Sequence, residues 1–135
     1  EGMAGRLAAE KSGHSEKAVL QELCNDEDMM ICQGAAPEAL AQHNAMFHSA
    51  ILSTARNQFL SESLVRHSQM LVLLGVTAYS VPSRIISIQA EHHAVNAAIQ
   101  SGDAEGCERA MKHHLHEALK ARLKLASLST NSEMD

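Results

Sequence analysis

The sequence predicts an all-α domain, an antiparallel bundle of about six helices, and three observations carry that prediction. Apolar residues recur every three or four positions through most of the 135 residues, the period of one face of a helix. No stretch alternates apolar and polar residues long enough to form a half-buried strand. Helix-forming residues dominate between brief Gly, Pro and Ser breaks, and helices joined by such short connections pack as antiparallel neighbours.

Taken in order, the first helix runs through Met3, Ala4, Leu7 and Ala8 to about Ser12, with Gly13 expected in the left-handed turn past its end. Helical rhythm is already present at Glu1, so the chain reads as part of something longer. Ser15 and Glu16 open a second helix that carries Leu20, Leu23, Met29 and Ile31 and closes at Gly34. Within it the acidic run Asn25-Asp26-Glu27-Asp28 reads as a solvated face. Pro37 suits the first turn of helix three, where its missing amide hydrogen costs nothing, and that helix holds Leu40, Asn44, Phe47, His48 and Ile51.

A break at Ala55-Arg56-Asn57 precedes helix four, whose apolar positions are Phe59, Leu60, Leu64, Leu71 and Leu74. The apolar run over residues 70–79 is half the ~20 residues needed to cross a bilayer and reads as a buried helical segment. Pro82 disfavours helical geometry in the residue before it, so helix five spans about 83–100. Asp103 caps helix six, which carries Cys107, Met111, Leu115, Leu119 and Leu123 to about residue 127. Residues 1–127 therefore form one domain, and 128–135 a polar tail expected to fray.

Composition narrows the function. At 45% apolar and 20% charged residues the chain is globular. A net charge of −5 and a pI near 6.0 argue against nucleic-acid binding by these residues, because duplex affinity rests on Lys and Arg neutralising phosphates. Cys24, Cys32 and Cys107 form no CxxC pair, and their odd number fits reduced thiols in a cytoplasmic protein. Nothing at the N-terminus resembles a secretory signal.

Nine histidines in this length are many. His92 lies ten residues before Gly102 and His114 twelve after it. If Ser101-Gly102-Asp103 is the bend of a helical hairpin, both imidazoles stand at one height. Asn44 and His48, spaced i, i+4, put an oxygen and a nitrogen donor on one face of helix three. Together these four look like a His-rich metal site with open positions, since neutral imidazole suits zinc, nickel, copper and iron. The competing reading is a set of buried, hydrogen-bonded imidazoles, and periodicity alone favours it. Ligating rings need an acceptor on the outer nitrogen, for which Glu91, Glu117 or a backbone carbonyl are candidates. His14, His67 and His116 read as turn or solvent residues, and His43, His93 and His113 point about 100° away from their neighbouring candidates. Glu-x-x-His pairs of di-iron bundles and the His-Glu-x-x-His motif of zinc proteases are absent, as is Gly-x-Ser-x-Gly. Nothing is built to turn over a substrate.

Four pieces in order resemble one family: the opening Glu1-Gly2-Met3-Ala4-Gly5-Arg6-Leu7-Ala8-Ala9-Glu10, then Asn44-Ala45-Met46-Phe47-His48, then Glu91-His92 with Ala97-Ala98-Ile99 and Gly102-Asp103, then Ala110-Met111 with His114-Leu115. Over roughly residues 1–127 the chain resembles the C-terminal ligand-binding (FCD) domain of FadR-type regulators of the GntR superfamily. The resemblance implies a helical bundle, homodimeric, that senses a small carboxylate effector and controls an N-terminal winged helix-turn-helix domain preceding Glu1. It also implies a divalent transition metal, zinc or nickel, on Asn44, His48, His92 and His114. Asn44 stands where Asp is commoner, so the ion keeps its full charge and an anionic effector is favoured. Arg56, Arg66 and Arg84 are candidate carboxylate clamps. Arg66 is favoured because it shares a predicted face with Phe59 and Leu73, and Asn57 is taken with it as effector-binding. Two alternatives stand beside this reading: a metal-free dimerisation and organic-ligand domain of the same family, and a small three-His metalloenzyme with Glu91 or Glu117 as general acid or base.

Overall fold

The computed structural model describes residues 1–73 and 77–132, with side chains described for all of these except 67–73. Six helices occupy them: α1 (Gly2–Lys11), α2 (His14–Cys32), α3 (Pro37–Ala55), α4 (Gln58–Leu73), α5 (Pro82–Ser101) and α6 (Ala104–Ser132), with a single 3-10 turn at Ala78–Ser80. No strand occurs among the described residues. The expected all-α bundle is what forms. The side chains of Leu71, Leu73 and Leu74, placed above on helix four, and of His67, read as a solvent residue, lie outside the described ones.

One core joins five of the helices. Ala8 of α1, Leu20, Leu23 and Cys24 of α2, Phe47 and Ile51 of α3, Val95 and Ile99 of α5, and Cys107 and Met111 of α6 are buried against each other. Aliphatic and sulfur-bearing side chains with one Phe fill this interior, as expected for a chain with so few aromatics. A second cluster of Leu40, Ala78, Tyr79 and Ile88 lies where α3, the 3-10 turn and α5 meet. Between α5 and α6 the chain turns at Gly102, whose φ of 70° is the left-handed geometry open to glycine. Asp103 Oδ1 accepts the Gly106 N–H at 2.9 Å and caps α6. On α1, a Cβ added at Gly5 would stand 3.2 Å from Cys107 Sγ, so the glycine allows close approach of α1 to α6.

Several boundaries differ from expectation for physical reasons. Gly13 is extended (φ −88°), and it starts α2 instead of ending α1. The Glu16 carboxylate accepts its N–H at 2.6 Å, which pulls the helix start forward to His14. The left-handed position after α3 falls on Arg56 (φ 51°), a residue other than glycine. The run over 70–79 is not one helix, because Thr77 is extended and its hydroxyl caps the 3-10 turn through Tyr79 N–H. Residues beyond 127 continue α6 to Ser132. There the Ser129, Thr130 and Ser132 hydroxyls donate to the carbonyls of Leu125, Ala126 and Leu128 one turn back, a local pairing that lets polar side chains stay helical. Phe59, expected among the apolar positions of helix four, is 86% exposed.

Phe47 is 1% exposed at the centre of the main cluster. Phe47→Ala should cost about 3–5 kcal/mol, the range for deleting a buried aromatic ring, and urea unfolding followed by helical circular dichroism measures it.

Candidate metal and effector site

Phe47 also forms the wall of the histidine cluster, its ring centroid 4.5 Å from that of His92. The hairpin at Gly102 sets His92 on α5 and His114 on α6 at one level, ring centroids 4.7 Å apart. His48 of α3 enters from the side, with its ring stacked 5.1 Å from His114. One ligand-capable atom from each of the three lies within 4.8 Å of the others. His48 Nε2 and His114 Nε2 are 3.1 Å apart. Two imidazole nitrogens on a tetrahedral ion at about 2.0 Å would be separated by about 3.3 Å, so this pair is already at the spacing of a shared ion.

Each outer nitrogen faces a carboxyl group. His92 Nδ1–H donates to Glu27 Oε2 at 2.8 Å, with both side chains almost wholly buried. His48 Nδ1–H donates to Glu1 Oε2 at 3.0 Å. His114 Nδ1 faces Glu91 Oε2 at 3.6 Å, and the same carboxylate oxygen accepts from Arg84 Nη1 at 2.6 Å. This leaves His92 Nε2 buried with no hydrogen-bond partner, and Asn44 Oδ1, one turn before His48, is buried and unpartnered as well. Buried polar atoms are nearly always paired. An unpartnered His92 Nε2 grouped with the His48 and His114 nitrogens fits a cation-binding site, and Asn44 Oδ1 lies one helical turn from His48 on the same helix.

Burial lowers His92 to about 4, against the opposing pull of Glu27, and burial also lowers His114. Both rings are therefore neutral near pH 7, the form that ligates metal. Burial raises the Glu91 carboxyl, but His114 and Arg84 outweigh it and the net direction is down. The same balance, with His48 as the stabilising partner, holds Glu1 down. Burial pushes the Tyr79 phenol far up, and the nearby Glu27 carboxylate acts in the same direction.

The acidic run of α2 is a solvated face at Asn25 and Asp26, but Glu27 departs from that reading. Glu27 is 2% exposed, and Asp28 is held by Gln89 at 2.6 Å and His93 at 2.8 Å. Nothing in the spacing of four consecutive polar residues marks which of them turns inward. Among the acceptors considered from sequence, Glu91 faces His114, while Glu117 pairs with Lys120 at 3.3 Å. Glu27 and Glu1 were not anticipated. His43 is buried and donates from Nε2 to the Leu23 carbonyl at 2.7 Å, and His14, His113 and His116 are exposed.

Of the three arginines, Arg84 is the one brought to the cluster. It is 8% exposed, and its Nε and Nη2 are buried without partners. Arg66 is exposed on α4. Arg56 pairs with Glu16, and the Asn57 side chain accepts the Leu60 N–H at 3.1 Å, a helix-capping role. Arg84 and Glu91 also line a groove of about 790 Å³ between α5 and α6, together with Ser83, Ser87 and Glu117. They connect the cluster to the surface.

An all-helical domain with a histidine cluster in its interior and a buried guanidinium beside it has the design of a small-molecule receptor. The FCD domain family matches residues 1–117, and the chain belongs to this family, the C-terminal domain of FadR/GntR-type regulators. It is a ligand-sensing regulatory domain. No curated protein matches the chain. No helix among the described residues is long and apolar enough to cross a membrane.

The depressed His92 gives a pH signature. In the unfolded chain the ring titrates near 6.5 and in the fold near 4, so between these values the unfolded form binds more protons. Stability is full above pH 6.5 and falls as pH drops toward 4. Urea unfolding of chelator-treated protein at pH 7 and pH 5 should differ by about 2 kcal/mol from this ring alone, with His114 acting in the same direction. His92→Gln should flatten the dependence.

Proposed function

We propose that this domain senses a small carboxylate effector at a divalent transition-metal centre and so modulates DNA binding by a winged helix-turn-helix domain on its N-terminal side. The convergence of His48, His92 and His114, with His92 Nε2 and Asn44 Oδ1 buried and unpartnered, carries this reading. These four residues would hold the ion. Three neutral imidazoles and an amide oxygen suit zinc or nickel. The ion, when bound, would supply a Lewis-acidic point for a carboxylate oxygen.

Arg84 is the better-supported clamp for the effector, ahead of Arg66 and Asn57. Its Nε–H and Nη2 form one edge of the guanidinium, the fork that a carboxylate takes bidentately, while Nη1 stays on Glu91. Access is through the groove that Arg84 and Glu91 line. Because Glu91 links Arg84 to His114, an anion on Arg84 shifts the hairpin that carries two of the ligands. The functional unit is a homodimer in the cytoplasm, and the effector acts by favouring one packing of α3, α5 and α6.

One observation favours a second reading, a metal-free organic-ligand domain: at 3.1 Å, His48 Nε2 and His114 Nε2 can share a proton as a direct hydrogen bond. Metal analysis and melting separate the two. Protein purified without chelator should carry close to one equivalent of zinc or nickel by plasma mass spectrometry, and EDTA should lower its melting temperature, because an ion that binds only the folded state stabilises it. His92→Ala with His114→Ala should abolish both effects. A metal-free wild type with unchanged melting would leave the second reading in place.

Arg84→Gln tests the clamp. Citrate or acetate titrated by calorimetry into zinc-loaded protein should bind the variant roughly tenfold or more weakly, the loss of a charge-assisted hydrogen-bond pair. Arg66→Gln should bind as wild type does.

A further inference from the structure

The proposed ion would sit among ligands that are all neutral, since Asn44 replaces the carboxylate that a dication commonly receives directly. Its charge must be met one bond further out. Among the described side chains, Glu27, Glu91 and Glu1 stand around the three imidazoles, with the Arg84 guanidinium paired to Glu91. Three carboxylates against one guanidinium leave two negative charges, which is the charge of a divalent cation. The expectation that Asn44 leaves the ion uncompensated therefore does not hold for this arrangement.

The three carboxylates are not equivalent. Glu91 is shared with Arg84 at 2.6 Å and stands 3.6 Å from His114. Glu1 is partly exposed, with 19% of its side chain accessible. Glu27 has His92 Nδ1 at 2.8 Å, and neither side chain exceeds 3% exposure. It reaches across from α2 to α5, between residues 65 apart in sequence. An isolated carboxylate is costly in such surroundings, so its retention there needs a compensating partner. Resting on the metal-centre reading above, we propose that Glu27 is the positioning residue of this centre: it fixes the tautomer that points the His92 Nε2 lone pair inward, and it supplies the negative charge that Asn44 does not.

The consequence concerns affinity and specificity. A ligating imidazole that donates to a carboxylate is a stronger base than one that donates to an amide. Of the three imidazoles Glu27 pairs with His92, so its removal weakens the ion without touching a ligand atom. An added inner carboxylate at position 44 should then substitute for it in charge, though not in orientation.

The test uses zinc alone, in competition with a chromophoric chelator, on the full chain. Glu27→Gln keeps shape and can still accept a hydrogen bond, and it should bind zinc 10–100-fold more weakly, the usual effect of losing an outer-shell partner. Asn44→Asp on that background should recover most of the loss. In zinc-free wild type, long-range nitrogen-15 correlation spectra should show His92 protonated on Nδ1. Melting in EDTA reports folding separately from zinc. A Glu27→Gln affinity within threefold of wild type, failure of Asn44→Asp to recover affinity, or a His92 protonated on Nε2 would each overturn the inference while the metal centre stands. Wild type that takes up no zinc would overturn both.

Discussion

An imidazole has two nitrogens, and only when one is held by an acceptor does the other present its lone pair in a fixed direction. That constraint organises this fold. Three rings from three helices meet in the interior with their outer nitrogens toward Glu27, Glu1 and Glu91. The acceptors come from α2, the chain leading into α1, and α5, so the arrangement exists only when most of the bundle is assembled. Packing and polar chemistry are joined at Phe47, which lies in the core cluster and against the His92 ring.

Much of this was legible in the sequence where the information is local. The helical hairpin and the shared level of His92 and His114 follow from Gly102 and simple counting on either side of it. Asn44 and His48 needed only the helical repeat to fall on one face. Asp103 as a cap was readable from its type and position. Helix ends were less so, because Gly13 serves the start of α2 as readily as the end of α1, and a side chain three residues on decides between them.

What stayed hidden is what depends on packing between distant segments. Glu27 sits among acidic and amide residues, where burial of one is set by the neighbouring α5 and leaves no local trace. Arg84 and Arg66 have the same chemistry, and only the tertiary placement of their helices makes one buried and the other exposed. Even the apolar pattern misleads at Phe59, whose aromatic side chain satisfies the helical period yet faces outward. Family membership supplies the function class. The individual polar partners follow from how the helices pack.

The three thiols differ sharply in environment. Cys24 and Cys107 are buried, and burial pushes both up to about 12, so neither offers thiolate to a reagent near neutral pH. Cys32 is exposed at the end of α2, five residues beyond Glu27 on the same helix. The native chain can thus accept a maleimide dye at a single point, on the helix whose Glu27 contacts His92, and report conformational change by fluorescence without any engineered residue.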